Sequence, residues 1–356
     1  MGWLLALPVW VILWSVLLSP DLKSRKNAKA YMVICSLALI FVLGLRSRYT
    51  GSMDTYMYSL AFNSAKNYSD LYAFLEAKDV FDGFFLLSEG GFHLYTWLAA
   101  QIFPEAQWFI LLSAVIIVSS TASFIWNNSE DLTVSWIVFI CLGSMTFAIN
   151  GMRQALAMSI CLLSYRYAKE KKLFRFLLIV LIAILFHKSA VVFLLVYIMR
   201  NMKLDFKSVA FLSVLVVAFL VFADRFAFLY DSMTGEDYAI AESFEGGGAV
   251  AVAIYVCAII MLFVCSKRLK QRNVFVPLSL TVFGLVLYLA RFTSVQIYER
   301  ISYYFAYFLM LVFPSIFKDL KKEFYVLIKV CFFLAAIVLF AYRISKGAFA
   351  DFAMFW

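Results

Sequence analysis

Twelve apolar runs, most of them near the length that crosses a bilayer and separated by short polar breaks, constrain this chain more than any other feature. A spanning helix needs about 20 apolar residues, with a range near 17 to 25. That ruler predicts spans near 3–18, 30–45, 108–126, 132–149, 152–168, 173–187, 189–199, 208–223, 249–266, 274–290, 301–317 and 324–342. Two apolar pieces are short for a crossing, "GGFHLYTWLAAQIF" at 90–103 and "SAVVFLLVYIM" at 189–199, and the first reads as a re-entrant or interfacial helix. With 65% hydrophobic and 15% charged residues and a mean hydropathy of +0.90, the chain has more apolar surface than a soluble domain hides. The expected architecture is all-α: a polytopic integral membrane helical bundle, one transmembrane domain over 1–356, with about 12 transmembrane helices plus the short one. The first run lacks a basic leader and a small-residue cleavage site, so it reads as a retained span.

Charge sets the orientation, because cytoplasmic loops collect Lys and Arg. The basic clusters at 23–29, 166–175, 200–207, 267–272 and 318–322 hold more than half of the 31 basic residues. Placing all five inside puts both termini outside and makes 46–89 and 224–248 outward segments. Basic residues spread over membrane-flanking loops do not form a nucleic-acid surface, despite the net charge of +9. The six cysteines all fall in apolar runs without metal-ligand spacing, so neither a disulfide framework nor a zinc site is indicated.

On this topology the outward face collects Arg46, Arg48, Asp54, Glu89, Arg153, His187, Lys188, Arg291, Glu299 and Arg300, a set that the positive-inside bias does not explain. Each member also has a plain structural reading. Arg46 and Arg48, taken singly, read more readily as snorkelling anchors. Arg153 lies between apolar stretches, where a charge costs about 2.5 to 3.5 kcal/mol, so it is either a buried ion-pair partner or a site residue. His187 interrupts an apolar run and reads either as a satisfied core histidine or as a proton acceptor; His93 reads as a packing residue. Arg300, Tyr303, Tyr304 and Tyr307 are spaced for one helical face, which an interfacial aromatic belt would also produce. Ala157, Cys161 and Ser164 form a small-residue face for close helix packing. Asp54 is followed by "TYMY" and not by a second carboxylate, so a divalent-ion site is poorly supported. The tract "ESFEGGGAV" at 242–250 closes an acidic loop that reads as a solvated connector or as a mobile lid.

The ordered set "RSRYTGSMDTYMYSLAF", "EGGFHLYTWLA", "MRQALAMSICLL", "FHKSAVVFL" and "ERISYYF" resembles the EpsG family of bacterial polysaccharide polymerases, relatives of the Wzy O-antigen and capsule polymerases. The resemblance runs from about residue 30 to 340. One departure is Glu89-Gly90-Gly91, where the family pattern leads us to expect Glu-Pro before the short helix.

The resemblance implies a GT-C-like membrane glycosyltransferase of the bacterial inner membrane with its site facing outward. Its expected partner is an undecaprenyl-diphosphate-linked oligosaccharide in the lipid bilayer, with a chain-length regulator and a flippase as further candidates. Growing glycan would pass from its carrier to the non-reducing end of the next lipid-linked repeat unit. No cofactor and no metal is expected. Guanidinium groups clamp phosphate oxygens bidentately, so Arg153, Arg291 and Arg300 are expected on the diphosphate, with Arg46 and Arg48 as second candidates. The acceptor hydroxyl benefits from a positioned base, for which His187 comes first, then Asp54, then Glu89. Tyr303 and Tyr304 are candidates for stacking on sugar rings. A lipid-linked glycan ligase would use a similar set of residues. A transporter or flippase would place its polar residues near the midplane between inverted repeats, and an acyltransferase would need a cytoplasmic acyl donor.

Overall fold

The computed structural model describes residues 1–18, 24–50, 53–78, 89–222, 225, 252–254, 256–260, 271–290, 296–345, 349 and 352–355. Those residues are helical throughout apart from turns and one isolated bridge, Arg46 to Met354. The Gly-rich loop at 242–250 and Arg291 lie outside the described residues. The chain falls into two compact units: Met1–Asn128 with Phe139–Val191 and Leu334–Trp356, and Ser129–Val138 with Val192–Phe333.

The first unit is built on a series of packed helices. Helix α1 (Gly2–Leu18) lies on α2 (Arg25–Gly44), α2 on α6 (Ala106–Asn128), α6 on α9 (Met152–Lys169), and α9 on α10 (Leu173–Phe186). Close approach follows from small side chains. Ala157, Cys161 and Ser164 of α9 are fully buried, as the small-residue face requires. A Cβ on Gly44 would sit 3.1 Å from the Cα of Leu111, so α2 reaches α6 only because residue 44 has none. Between α2 and α6 run three helices, α3 (Met53–Ala65), α4 (Leu71–Glu76) and α5 (Gly90–Ile102). Their shared core of Phe62, Phe74, Phe92 and Phe109 ties α3, α4 and α5 to α6.

Two spans expected to be continuous are broken. The run at 132–149 is α7 (Leu132–Cys141) and α8 (Ser144–Asn150), bent by 45°. Gly143 makes the break at φ +117°, a region that side-chain-bearing residues avoid. Gly151 then ends α8 and opens α9. Between the expected runs 173–187 and 189–199, α10 stops at an extended His187, and a 3₁₀ turn over Lys188–Phe193 leads into α11 (Leu194–Met199). The 14 residues of α10 span only about 21 Å, short of a hydrocarbon core of about 30 Å.

In the second unit, α11 and α12 (Phe206–Val221) pack on α13 (Arg272–Ala290), which also holds α14 (Gln296–Ala306) and α15 (Leu309–Asp319). Phe283 meets Phe305 edge-on at 5.1 Å. The expected 301–317 span bends by 42° between α14 and α15. Because α14 ends at Ala306, Tyr307 sits in the connecting turn and leaves the helical face that its spacing with Arg300 predicts. Helix α16 (Lys322–Ile344) runs from the second unit into the first. Near its start, Lys329 pairs with Asp131 at 2.5 Å.

Among the described residues, four helices are long and apolar enough to cross a membrane, or up to six if each bent pair is one span. Shorter apolar helices, Gly2–Leu18, Leu173–Phe186, Lys188–Met199 and Phe206–Leu215, account for further runs of the sequence. The chain is an integral membrane protein of helices, several of them discontinuous.

Candidate functional site

Helix breaks are where polar groups gather in the first unit, because irregular backbone in a membrane protein persists only where protein or a water-lined cavity surrounds it. Three such points meet: the N-terminus of α5, the N-terminus of α9 and the C-terminus of α10. Each supplies one residue of the expected set.

Glu89 caps α5 from the left-handed region, at φ 57°. A non-glycine residue there costs of order 1 to 3 kcal/mol, and such strain clusters at functional positions. Its carbonyl accepts from the amides of Phe92 at 2.9 Å and His93 at 3.3 Å, which opens the helix. The carboxylate is 3% exposed and points across to the other two breaks. Oε2 lies 2.6 Å from Nη1 of Arg153, and Oε1 accepts from the backbone N–H of Lys188 at 3.3 Å. Arg153 stands in the first turn of α9, where the helix dipole opposes a cation, and the Glu89 carboxylate offsets that. Its guanidinium also lies 5.9 Å from the centre of the Phe92 ring and keeps about a quarter of its side chain exposed.

His187 is 3% exposed. Its Nδ1 accepts the Ser189 backbone N–H at 3.3 Å and meets the Ser189 hydroxyl at 2.7 Å. An acceptor Nδ1 puts the proton of the neutral ring on Nε2, since one imidazole nitrogen donates while the other accepts. Glu89 Oε1 is 3.7 Å from Nδ1, inside ion-pair range and beyond a hydrogen bond.

The contact that brings these ends together is a glycine. A Cβ on Gly91 would lie 2.6 Å from Leu185 Cβ and 3.0 Å from the Leu185 carbonyl oxygen, so α5 can lie against the last turn of α10 only without a side chain at 91. This gives the second glycine of Glu89-Gly90-Gly91 a physical reason.

Asp54 is exposed in the first turn of α3, one helical turn before Tyr58. The Tyr58 ring meets Phe92 edge-on at 5.6 Å. Burial pushes its phenol up to about 12, and Arg153, Asp54 and Glu89 all act on it electrostatically. Tyr58 therefore stays protonated and joins Asp54 to the Glu89–Arg153 pair. Nearby on the sequence, exposed Tyr49 stacks on Tyr56 at 5.5 Å, and the exposed Arg48 guanidinium lies 5.1 Å from the Tyr49 ring.

Other expected residues lie elsewhere. Arg46 is 2% exposed and donates to the carbonyls of Leu43 and Ile149 and to Thr55 Oγ1. Those carbonyls end α2 and α8, so its charge completes two helix C-termini. Arg300, Tyr303 and Tyr304 belong to the second unit. Arg300 is half-buried on α14; Tyr303 donates to Glu299 Oε1 at 2.9 Å; Tyr304 is 1% exposed, so protein covers its ring. Among the described residues no group of three or more His, Cys, Asp or Glu is placed to hold a metal ion.

The sequence reading missed Ser189, Tyr58, Tyr49, Tyr56 and the role of Gly91. Ser189, two residues from a histidine that interrupts an apolar run, was the legible signal. Comparison with curated proteins and with solved structures finds no match. The EpsG family profile, which describes Wzy-like polysaccharide polymerases, matches residues 29–355, nearly the whole length. The chain belongs to the EpsG family.

Proposed function

We propose that the protein polymerises lipid-linked repeat units on the outer face of the inner membrane, with Glu89, Arg153 and His187 at the centre of its site. The observation that carries this reading is the single buried carboxylate reaching Arg153 and the His187 turn from a third helix end. Such a junction holds a guanidinium and an imidazole in fixed positions, which is what stabilising developing charge requires.

In the proposed step the acceptor hydroxyl oxygen attacks the anomeric carbon of the donor glycan. The new glycosidic C–O bond forms as the bond from that carbon to the diphosphate oxygen breaks. The electron pair leaves with undecaprenyl diphosphate. Arg153 and the Nε2–H of His187 meet the charge that grows on the phosphate oxygens, with Arg48 at the exposed margin; Arg300 and Arg291 are clamp candidates from the family resemblance alone. Arg46 is engaged with backbone carbonyls and fits a structural role better.

The hydroxyl proton goes to a base. Glu89 is engaged by Arg153 and by the Lys188 amide, and Nδ1 of His187 is engaged by Ser189. Asp54 is the exposed carboxylate of the three candidates, which moves it ahead of His187 as the base. Exposed Tyr49, stacked on the half-buried Tyr56, suits a sugar ring better than the covered Tyr304.

The test is a strain lacking the protein, analysed for lipid-linked glycans. Accumulated single repeats that lengthen when the wild-type chain is restored, and fail to lengthen with Arg153→Ala, support polymerisation. Long lipid-linked chains that persist in the deletion strain, waiting for transfer to another acceptor, point to a ligase and overturn the reading.

A further inference from the structure

At the other end of α2 from Arg46, a cavity of about 800 Å³ opens between the first half of α2 and the last half of α6. Its lining is ordered along the helix axes. Arg25, Lys26 and Lys29 stand on the first turns of α2. Trp126, two residues before the end of α6, lies at the same end because the two helices run antiparallel. Farther along the helices come Ser123 and Ser119 of α6 and Ser36 of α2, with the apolar Val33 and Leu37 open to the outside.

These cations belong to the basic cluster at 23–29, and among the described residues they have no acidic partner. All three side chains are exposed, the first turn of α2 contains no acidic residue, and none of the three forms a salt bridge among the described residues. Three cations above an apolar wall match a molecule with an anionic head and a hydrocarbon tail. From Arg25 to Leu37 the helix rises about 18 Å. The headgroup layer on one side of a bilayer is about 6 Å deep, which leaves room for the upper part of an acyl chain along Val33 and Leu37. Basic pockets between membrane helices bind lipid phosphates in this way.

We infer that this cavity is a binding site for an anionic phospholipid of the bilayer, held by its phosphodiester on Arg25, Lys26 and Lys29 and by its acyl chain along α2 and α6. It is separate from the Glu89 site, since none of Glu89, Arg153 and His187 lines it.

The experiment titrates the purified full-length protein with phosphatidylglycerol or phosphatidylcholine of identical chains in mixed micelles. Phosphatidylglycerol binds selectively, and the triple variant Arg25→Gln, Lys26→Gln, Lys29→Gln weakens it roughly 100-fold. Val33→Trp keeps every charge and fills the cavity, so it also weakens binding and serves if the triple variant does not fold. A control, Arg175→Gln with Lys203→Gln and Lys207→Gln, removes three exposed cations near the starts of α10 and α12 and leaves binding unchanged. Equal affinity for phosphatidylcholine, equal loss in the control, or no effect of Val33→Trp overturns the site. Displacement of the lipid by excess inorganic phosphate would reassign it to a soluble anion.

Discussion

Glu89 and Arg153, 64 positions apart in the sequence, meet at 2.6 Å with the carboxylate almost wholly buried and the guanidinium partly open. Removing one partner of a buried pair leaves the other uncompensated, at about 3 to 5 kcal/mol. Glu89→Gln and Arg153→Gln should therefore each lower the denaturation midpoint of the detergent-solubilised protein, and the double variant should lose less than the sum of the two. Strict additivity would mean that the pair is not an interacting unit.

Replacing Gly91 with Ala should separate α5 from α10. The added methyl meets Leu185 backbone as well as side chain, so a rotamer change cannot relieve it. Overpacking of this kind costs about 1 to 3 kcal/mol, and the shift draws Glu89 away from the Lys188 amide. Polymer output should fall although no polar group has changed, and unaltered chain length together with unaltered stability would show that the approach is looser than 3.0 Å.

The chain has two histidines, so a His93→Gln background isolates His187 for nitrogen-15 NMR. The neutral ring should show an unprotonated Nδ1 and a protonated Nε2. Ser189→Ala removes a hydroxyl contact worth about 1 kcal/mol and should admit a measurable fraction of the other tautomer. A wild-type ring protonated at Nδ1 would remove His187 as a donor to phosphate.

Arg153→Lys and Arg300→Lys keep the charge and lose the planar fork. For a guanidinium on the transition-state phosphate, the expected fall in turnover is about 100-fold, with expression retained. Near-normal turnover in Arg300→Lys would confine the clamp to Arg153.

Glu170, exposed in the turn between α9 and α10, supplies a contrast. Hydrogen bonds from Lys172 at 2.7 Å and Arg166 at 2.9 Å hold its carboxyl down at about 2. Because its folded value lies below the ordinary one of about 4.3, its contribution is present above that pH and is lost as pH falls toward 2. The pair is solvent-screened, so Glu170→Gln should leave both polymer length and the denaturation midpoint essentially unchanged. A large change would mean that this turn takes part in the reaction.

The apolar runs by themselves determined that this chain enters a membrane as helices, because about 20 residues of hydrocarbon surface have no other stable partner. The order of "EGGFHLYTWLA", "MRQALAMSICLL" and "FHKSAVVFL" was likewise legible, and it named Glu89, Arg153 and His187 before any contact was known. Hydropathy separated the runs at Gly151 and His187 but did not reveal the break at Gly143 inside 132–149, since one glycine barely alters the average of so apolar a run. Nor did it reveal how the cations are committed: Arg46, which reads as an anchor, completes helix ends, while Arg153 faces a carboxylate and keeps an open edge. Those outcomes depend on which helix ends meet. Here that was decided by the missing side chain at Gly91 and the left-handed turn at Glu89, which only the packed chain displays.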